Sequence, residues 1–323
     1  MNKRDGLIHS PTRSTTTRLP AAVNYHLNRH CNYHCRHCYA VFNDAPIVRG
    51  AMLPSAAMFR IVELVARAPM PAAGRQRKLT FAGGEPTLVP WLPELIAFAR
   101  EQGLVTMLVT NGSRLTPAYL DRLTGHLDWL TLSIDGLDAE TNRRIGRADS
   151  QGATLTLEDH LRLSAQARVR GMRIKMNTVV NRHNAGADFS NFLLRLAPER
   201  WKVLQVMPVA GQNDTHYEEA KCTSEEFAAF VARHESLARR GLTVVPEAIE
   251  DIRGSYAMID PQGRFFDSTT GRHTYSDPIL HAGLAAAFAQ VQFSHVLFRE
   301  RGGDYEFSDT ARSGGETGSN PRS

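Results

Sequence analysis

Segments typical of β-strands alternate with segments typical of amphipathic helices along most of this chain. AAVNYHL and LVTMLVTNG (104–112) carry the β-branched and aromatic residues that strands favour. Between them, Met58, Ile61, Val62 and Val65 recur at the i, i+3, i+4, i+7 spacing of one helix face. Such alternation is typical of parallel strands joined by crossover helices. About six of these units predict an α/β fold, a partial (β/α)6 barrel rather than a closed barrel of eight units.

The same pattern predicts how the chain is divided. We expect a flexible N-terminal segment over 1–20 and the partial barrel over 21–245. A C-terminal extension packed on the barrel is expected over 246–309, where the alternation becomes irregular around a hairpin at Pro261–Gly263. The last segment, 310–323, is small and polar, which predicts a disordered tail.

The composition is that of a soluble globular protein, with 42% hydrophobic and 22% charged residues in 323. No apolar run approaches the length of a membrane span, and the first residues lack the apolar core of a secretory signal. The net charge of +5 comes from scattered Lys and Arg rather than a basic block, so direct nucleic-acid binding is not expected. Four cysteines in so long a chain favour a reducing, cytoplasmic setting over a disulfide framework.

Three of the four cysteines lie together in the segment HCNYHCRHCYA, just after the first predicted strand. Cys31, Cys35 and Cys38 have the spacing CxxxCxxC. A zinc ion bound by these thiolates and a neighbouring histidine is one interpretation, although structural zinc sites usually combine two separated ligand pairs. A four-iron cubane fits one short loop better, because three thiolates leave one iron open to a small molecule. Cys222 could be a fourth ligand, but a lone cysteine before a helix is more often a small buried apolar residue.

The predicted strand KLTFAGGEP ends at two glycines and a glutamate. Gly83 and Gly84 would let the backbone approach a ligand closely, and Glu85 offers an acceptor for an ammonium group. CxxxCxxC followed by the aromatic Tyr39, with GGEP one strand later, resembles the radical S-adenosylmethionine (radical SAM) superfamily. The resemblance implies a [4Fe-4S] cluster whose open iron binds the amino and carboxylate groups of S-adenosylmethionine. An electron from the cluster would then cleave this cofactor to a 5′-deoxyadenosyl radical.

Strand alternation predicts a second site, inside the barrel. Side chains alternate between the two faces of a strand, so in RIKMNTVVN the apolar residues would pack under helices while Lys175 and Asn177 point inward. By the same alternation Lys78, Arg200 and Lys202 point inward, and their strands carry no matching row of Asp or Glu. Unpaired buried cations are costly. We therefore expect the barrel to bind a polyanion, most simply a triphosphate; the alternative is that these residues lie at strand starts and reach solvent.

A closer resemblance, to the viperin family and in particular its prokaryotic members, covers roughly 23–309. It is carried in order by VNYHLNRHCNYHCRHC, KLTFAGGEP, VTNGSRL, NRRIGR, KMNTVVNRHN, RWKVLQVMPVAGQN, SYAMID and RERGGDYEFSD. The resemblance implies dehydration of a ribonucleoside triphosphate (CTP, UTP or GTP) to its 3′-deoxy-3′,4′-didehydro analogue, an antiviral chain terminator. The radical would take hydrogen from C4′ of the ribose, and the C3′ hydroxyl would leave as water.

The resemblance also implies individual roles. The cluster ligands would be Cys31, Cys35 and Cys38. Positions around S-adenosylmethionine would be Tyr39, Gly83, Gly84, Glu85, Asn111, Ser133 and Arg147, the last as partner of its carboxylate. Positions that contact the nucleotide would be Asn24, Lys78, Lys175, Asn177, Arg200 and Lys202. Tyr256 would lie near the reacting sugar, where it positions the sugar or relays hydrogen.

Partners follow from the same resemblance: an electron donor such as flavodoxin or ferredoxin, with the protein a monomer that has no membrane anchor. Two alternatives remain open at this point. Another radical SAM enzyme could cyclise GTP or modify a peptide, although such enzymes usually carry further cysteine clusters near the C-terminus. A non-enzymatic, zinc-stabilised nucleic-acid-binding module would instead be colourless. The sequence leaves the preferred base open.

Overall fold

The computed structural model describes residues 18–42, 52–72, 74–305 and 307. Most of the expected flexible segment and the whole expected tail lie outside these ranges. Strands β1 to β10 are Ala22–His26, Lys78–Ala82, Val105–Thr110, Trp129–Ser133, Arg173–Val180, Arg200–Gln205, Thr243–Glu247, Met258–Ile259, Arg264–Asp267 and Thr274–Pro278. Helices α1 to α12 are Ser55–Arg67, Leu92–Glu101, Pro117–Leu123, Ala139–Ile145, Leu157–Val169, Ser190–Leu196, Asp214–Ala220, Ser224–Arg233, Ile249–Ile252, Ile279–Ala282, Leu284–Phe288 and His295–Glu300.

Strands β1 to β7 pair in chain order, each parallel to the next. The complete order in the sheet is β10-β9-β8-β1-β2-β3-β4-β5-β6-β7, so β10 and β7 form its two edges and the described strands do not close into a ring. The predicted partial α/β barrel is therefore confirmed. Because all seven strands are parallel, their carboxyl ends, and the loops that follow them, meet at one edge of the barrel.

Apolar side chains on the outer face of the strands form the main core with the helices. Leu79, Phe81, Ile174, Met176 and Trp201 are all fully buried there. Since neighbouring residues on a strand point to opposite faces, this packing sends the polar residues between them into the barrel interior. Among the described residues, no helix combines the length and apolar character that crossing a bilayer requires.

Residues of the expected extension continue the barrel sheet instead of packing only on its surface. The hairpin predicted at Pro261–Gly263 is present: β8 and β9 are antiparallel, and β8 lies parallel to β1. The division of the chain at 245 therefore stays a prediction, because no break in the sheet coincides with it.

Two predicted helices are shorter than expected. The helix expected over 224–240 ends as an α-helix at Arg233 and continues as a 3₁₀ helix, Glu235–Arg240. The helix expected over 278–289 is divided into α10 and α11 by Gly283, whose φ of 82° does not fit an α-helix. Helices α4, α7, α9 and α12, with four to seven residues each, were not predicted.

The last described residues lie at the amino end of the barrel. Tyr305 and Phe307 pack against Val105 and Met107, and the Trp129 indole nitrogen donates to the Phe307 carbonyl oxygen at 2.8 Å. This segment therefore covers the end of the barrel opposite the cysteine loop.

Candidate active site

The cysteine loop follows β1 at the carboxyl edge of the sheet, and the glycine pair after β2 holds it there. The Gly84 amide donates to the Asn28 carbonyl at 2.8 Å, and the Glu85 amide donates to the His30 carbonyl at 2.7 Å. A Cβ atom at Gly84 would lie only 2.0 Å from the His30 carbonyl oxygen, and one at Gly83 would lie 2.9 Å from that of Asn28. The sequence predicted that the glycines admit a ligand; the structure adds that they admit the cysteine loop itself.

Cys31, Cys35 and Cys38 are free thiols that face one cavity. Burial raises the pKa of the Cys38 thiol to about 11, so it stays protonated near neutral pH until a metal binds. No three His, Cys, Asp or Glu side chains in the described ranges converge closely enough to hold a single ion. That separation fits a cubane, in which each thiolate binds a different iron, and it does not fit a tetrahedral zinc site.

A fixed positive charge stands beside Cys35. The Arg147 guanidinium lies 3.0 Å from the Asp135 carboxylate and 3.4 Å from the Cys35 sulfur, and it donates to the Ser133 carbonyl at 2.6 Å. Burial alone would raise the pKa of Asp135, but the Arg147 charge and the hydrogen bonds from His37 and the Val179 amide together lower it. Asp135 therefore stays ionised and holds Arg147 at the cavity wall, where it suits the predicted contact with the cofactor carboxylate.

The Glu85 carboxylate already accepts hydrogen bonds from neighbouring groups of the protein. Its Oε1 accepts from the Thr87 amide at 3.1 Å and from the hydroxyls of Thr87 and Thr110, each at 2.6 Å. Its Oε2 accepts from the Asn111 amide at 2.9 Å. Glu85 therefore joins the loops after β2 and β3, and the predicted contact with an ammonium group would have to use the remaining lone pair of Oε2.

The cavity, of about 760 Å³, continues from the thiols into the barrel interior. Lys78, Lys175 and Lys202 line it, as strand alternation predicted, and each is at most 8% exposed. Lys78 donates to the Tyr305 hydroxyl at 2.9 Å, whereas Lys175 has neither a hydrogen bond nor an ion pair in the described part of the chain. Burial and the neighbouring cations hold the pKa of Lys78 and of Lys175 well below the usual range of a lysine.

Sequence reasoning missed the carboxylate of this interior. Glu247, the last residue of β7, is fully buried, with Oε1 2.5 Å from the Lys202 ammonium and 3.3 Å from the Arg301 guanidinium. Its Oε2 accepts from the Tyr256 hydroxyl, which in turn lies 2.7 Å from the Lys202 ammonium. Burial would raise the pKa of Glu247, but Lys202 and Arg301 outweigh this and lower it. Extending the strand alternation to LTVVPE would have predicted Glu247 on the inner face.

Arg301 rather than Arg200 lines the cavity, although only Arg200 was expected there. Arg301 lines the cavity, with its guanidinium 3.7 Å from the centre of the Tyr256 ring. Arg200 does not line the cavity, because its guanidinium stacks 4.1 Å from the centre of the Tyr305 ring and donates to the Gly302 carbonyl at 2.8 Å. Arg301 lies in RERGGDYEFSD, a segment singled out as a whole, and only the folded chain identifies this residue.

Residues 25–196 match the family model of the Radical SAM superfamily. The chain belongs to this superfamily. It is 40% identical over 302 residues to the S-adenosylmethionine-dependent nucleotide dehydratase of Lacinutrix mariniflava, covering 93% of this chain and 61% of that protein. It is 38% identical over 286 residues to the protein of the same name from Flammeovirga pacifica, covering 88% of this chain and 96% of that protein. Within the radical SAM superfamily, the chain thus belongs to the viperin family.

Among solved structures, Streptococcus suis SuiB bound to S-adenosylmethionine has a TM-score of 0.59 at 15% identity, over 76% of this chain and 59% of that one. The two proteins share the radical SAM fold. The cofactors of this superfamily are a [4Fe-4S] cluster and S-adenosylmethionine, and the three separated thiols beside Arg147 fit them.

Nearly all the predicted site residues of this radical SAM protein open onto the same cavity. Arg200 alone among them does not. The residues around the thiols are Tyr39, Gly83, Gly84, Glu85, Asn111, Ser133 and Arg147, and those deeper in the barrel are Asn24, Lys78, Lys175, Asn177, Lys202 and Tyr256. The structure brings the two predicted sets together, while their individual roles stay predictions.

His26 was not predicted to belong to the site. It lies two residues after Asn24 on the same face of β1, is 3% exposed, and has no hydrogen-bond partner on either ring nitrogen among the described residues. Burial lowers its pKa to about 3, so the ring is neutral. A neutral imidazole that faces the cavity can offer one donor and one acceptor to a ligand.

Proposed function

We propose that this protein is a radical SAM dehydratase that converts a ribonucleoside triphosphate to its 3′-deoxy-3′,4′-didehydro analogue. The observation that carries this proposal is that the thiol loop and the lysine-lined interior share one cavity. The name of the relatives from Lacinutrix mariniflava and Flammeovirga pacifica, nucleotide dehydratase, supports the same reaction class.

Cys31, Cys35 and Cys38 would hold the cluster, and Arg147 would bind the carboxylate of S-adenosylmethionine. When bound, cluster and cofactor supply the radical that removes the C4′ hydrogen of the ribose. The loop after β2 fixes the position of the cysteine loop, and with it the place of the cluster and of S-adenosylmethionine. It does so because the Gly84 and Glu85 amides donate hydrogen bonds to the cysteine loop.

The lysines deeper in the barrel orient the substrate. A triphosphate that binds Lys78, Lys175 and Lys202 directs its nucleoside toward the carboxyl edge, since the cavity leads from these lysines to the thiols. The barrel walls and the Tyr305 segment keep solvent away from the phosphates. Ion pairs formed in such a low-dielectric interior are stronger than in water.

The hydroxyl that leaves C3′ needs a proton, and the Lys202–Tyr256–Glu247 group holds protons beside the cavity. The Tyr256 hydroxyl accepts from Lys202 and donates to Glu247, so its position is fixed on both sides. We assign to Tyr256 Oη the delivery of this proton, with Lys202 Nζ as the group that can restore it.

The finer expectations about partners belong to the same proposal. We propose that a reduced flavodoxin or ferredoxin supplies two electrons in each turnover, one that cleaves S-adenosylmethionine and one that completes the alkene after the C3′ hydroxyl has left as water. We also propose that the protein acts as a monomer in the cytoplasm. The four described cysteines are free thiols, which supports a reducing setting.

The test is an anaerobic incubation of reconstituted protein with S-adenosylmethionine, dithionite and each of the four ribonucleoside triphosphates. We expect 5′-deoxyadenosine and a nucleotide lighter by one water, both detected by mass spectrometry, with at least one base. The matched controls are Cys31→Ala, which should lose the visible cluster absorption and both products, and Cys222→Ala, which should keep them because Cys222 does not line the cavity. Deoxyadenosine formed at the same rate with and without every nucleotide would contradict the proposal.

A further inference from the structure

We infer that the barrel interior binds the nucleoside triphosphate as the metal-free anion, and not as its magnesium complex. This inference rests on the proposed function and concerns the chemical form of the substrate. Two features of the described interior carry it: its charge balance, and the lack of an available carboxylate for a divalent cation.

The first feature is the excess of positive charge. Lys78, Lys175, Lys202 and Arg301 line the cavity, and Arg200, although it does not line it, is buried beside them on the Tyr305 ring. Glu247, which pairs with Lys202 and Arg301, is the described carboxylate of this group. Five cations against one carboxylate leave a formal excess of four positive charges when all are ionised.

A ligand that fits must neutralise this excess. A free triphosphate carries about four negative charges near neutral pH, because the second pKa of its terminal phosphate is near 6. Its magnesium complex carries only about two. The metal-free anion therefore balances the interior, whereas the complex would leave buried positive charges without a partner, which is unfavourable in a low-dielectric site.

The second feature is that no described carboxylate beside the lysines is available to a metal ion. Enzymes that bind magnesium with a nucleotide usually offer it one or two carboxylates besides the phosphates. Oε1 of Glu247 already accepts from Lys202 and Arg301, and its Oε2 accepts from Tyr256. The described carboxylates that line the cavity itself, Glu85 and Asp135, lie at the carboxyl edge near the thiols.

Those two carboxylates are also occupied. Glu85 accepts from four donors, and Asp135 accepts from Arg147 and from the Val179 amide. At the lysines the cavity instead presents donors, and Lys175 has no carboxylate partner. The described interior thus offers cations where a magnesium-dependent site would offer oxygen anions.

The experiment is calorimetric titration of the anaerobically reconstituted protein with the nucleotide that supports deoxyadenosine formation. It is run first with EDTA and then with increasing Mg²⁺. We expect the apparent Kd to rise in inverse proportion to the metal-free fraction of the nucleotide, by about tenfold when one tenth remains free. An exchange-inert Co(III) complex of the same nucleotide should not bind.

A Kd that is unchanged or lowered by Mg²⁺, or tight binding of the Co(III) complex, would overturn the inference while leaving the dehydration itself intact. No binding in either condition, with no product, would contradict the proposed function as well. The matched variant is Asn177→Asp, which adds a carboxylate at the position paired with Lys202 across β5 and β6. This variant should reduce severalfold the ratio of the affinity for the metal-free nucleotide to the affinity for its magnesium complex. An unchanged ratio would refute charge balance as the origin of the preference for the metal-free form.

Discussion

Replacing Lys175 by methionine should stabilise the nucleotide-free protein and at the same time weaken nucleotide binding. Lys175 is 5% exposed and has no ion-pair partner among the described residues, so the free protein bears the cost of burying its amine. Methionine keeps the apolar stem and removes the amine. From comparable replacements of buried charged groups we expect about 1–4 kcal/mol of added stability. Loss of a buried contact to phosphate should cost about 2–5 kcal/mol of binding energy, which is roughly 30-fold or more in Kd.

The matched control is Lys202→Met, at a second lysine of the same cavity that does have a partner. Lys202 lies 2.5 Å from Glu247, so its removal leaves a fully buried carboxylate with fewer partners. Breaking such a pair destabilises a protein by about 3–5 kcal/mol. The two variants should therefore lose nucleotide affinity alike and differ in the sign of their change in stability.

Urea unfolding of the reconstituted proteins without nucleotide measures the first quantity, and calorimetric titration with nucleotide measures the second. If Lys175→Met destabilises the free protein as Lys202→Met does, the ammonium has a partner before nucleotide arrives, and the polyanion reasoning is wrong. If its affinity for nucleotide is unchanged, Lys175 is not part of the phosphate site.

Three further outcomes follow from the site. Gly84→Ala should lower the iron content and abolish S-adenosylmethionine binding, since the added Cβ would lie 2.0 Å from the His30 carbonyl oxygen. Gly186→Ala is the control, because the space around Gly186 is open; an iron assay and a binding titration should find both properties unchanged. Tyr256→Phe should lower kcat at least tenfold with little change in nucleotide Kd, because it removes a proton-carrying hydroxyl but no cation; equal effects on both would indicate a binding role. Nucleotide affinity should fall as pH rises through about 8, because burial, partly offset by Glu247, lowers the pKa of Lys202 in the free protein to about 8. Bound phosphate would raise the pKa of Lys202, so nucleotide binding should take up protons. Calorimetry in buffers of different ionisation enthalpy would detect this uptake. Affinity that is flat between pH 7 and 9 would contradict this assignment.

The inner lysines could be predicted because their placement depends on a local rule. The two-residue period of a strand fixes which side chains face inward, and apolar neighbours such as Leu79 and Met176 indicate which face is outward. The same rule, applied to β6, predicted that both Arg200 and Lys202 point inward. It could not tell that Tyr305, more than a hundred positions later in the chain, would stack on Arg200 and keep it out of the cavity.

The rest of the site depends on contacts between distant segments with no periodic pattern. Arg301 reaches Glu247 from a segment that follows a short helix, and nothing in its immediate sequence indicates that it is buried. Short helices such as α4 were missed for a similar reason. Its seven residues are defined by the cap at Asp138 and the left-handed Gly146, and the turn at its end is held by the cysteine loop. A helix of so few residues is stabilised mainly by such tertiary contacts.

The position of Tyr305 and Phe307 has a consequence for how the pocket comes into being during translation. Synthesis proceeds from the N-terminus, so the thiol loop and all the inner lysines leave the ribosome before residues 301–307 do. Until then the amino end of the barrel is uncovered. Lys78 lacks its contacts with the rings of Tyr305 and Phe307, and Glu247 lacks its ion pair with Arg301. A nascent or truncated chain that stops short of Arg301 would therefore leave the amino end of the barrel uncovered, and this cover forms only after the thiol loop and the inner lysines have been made.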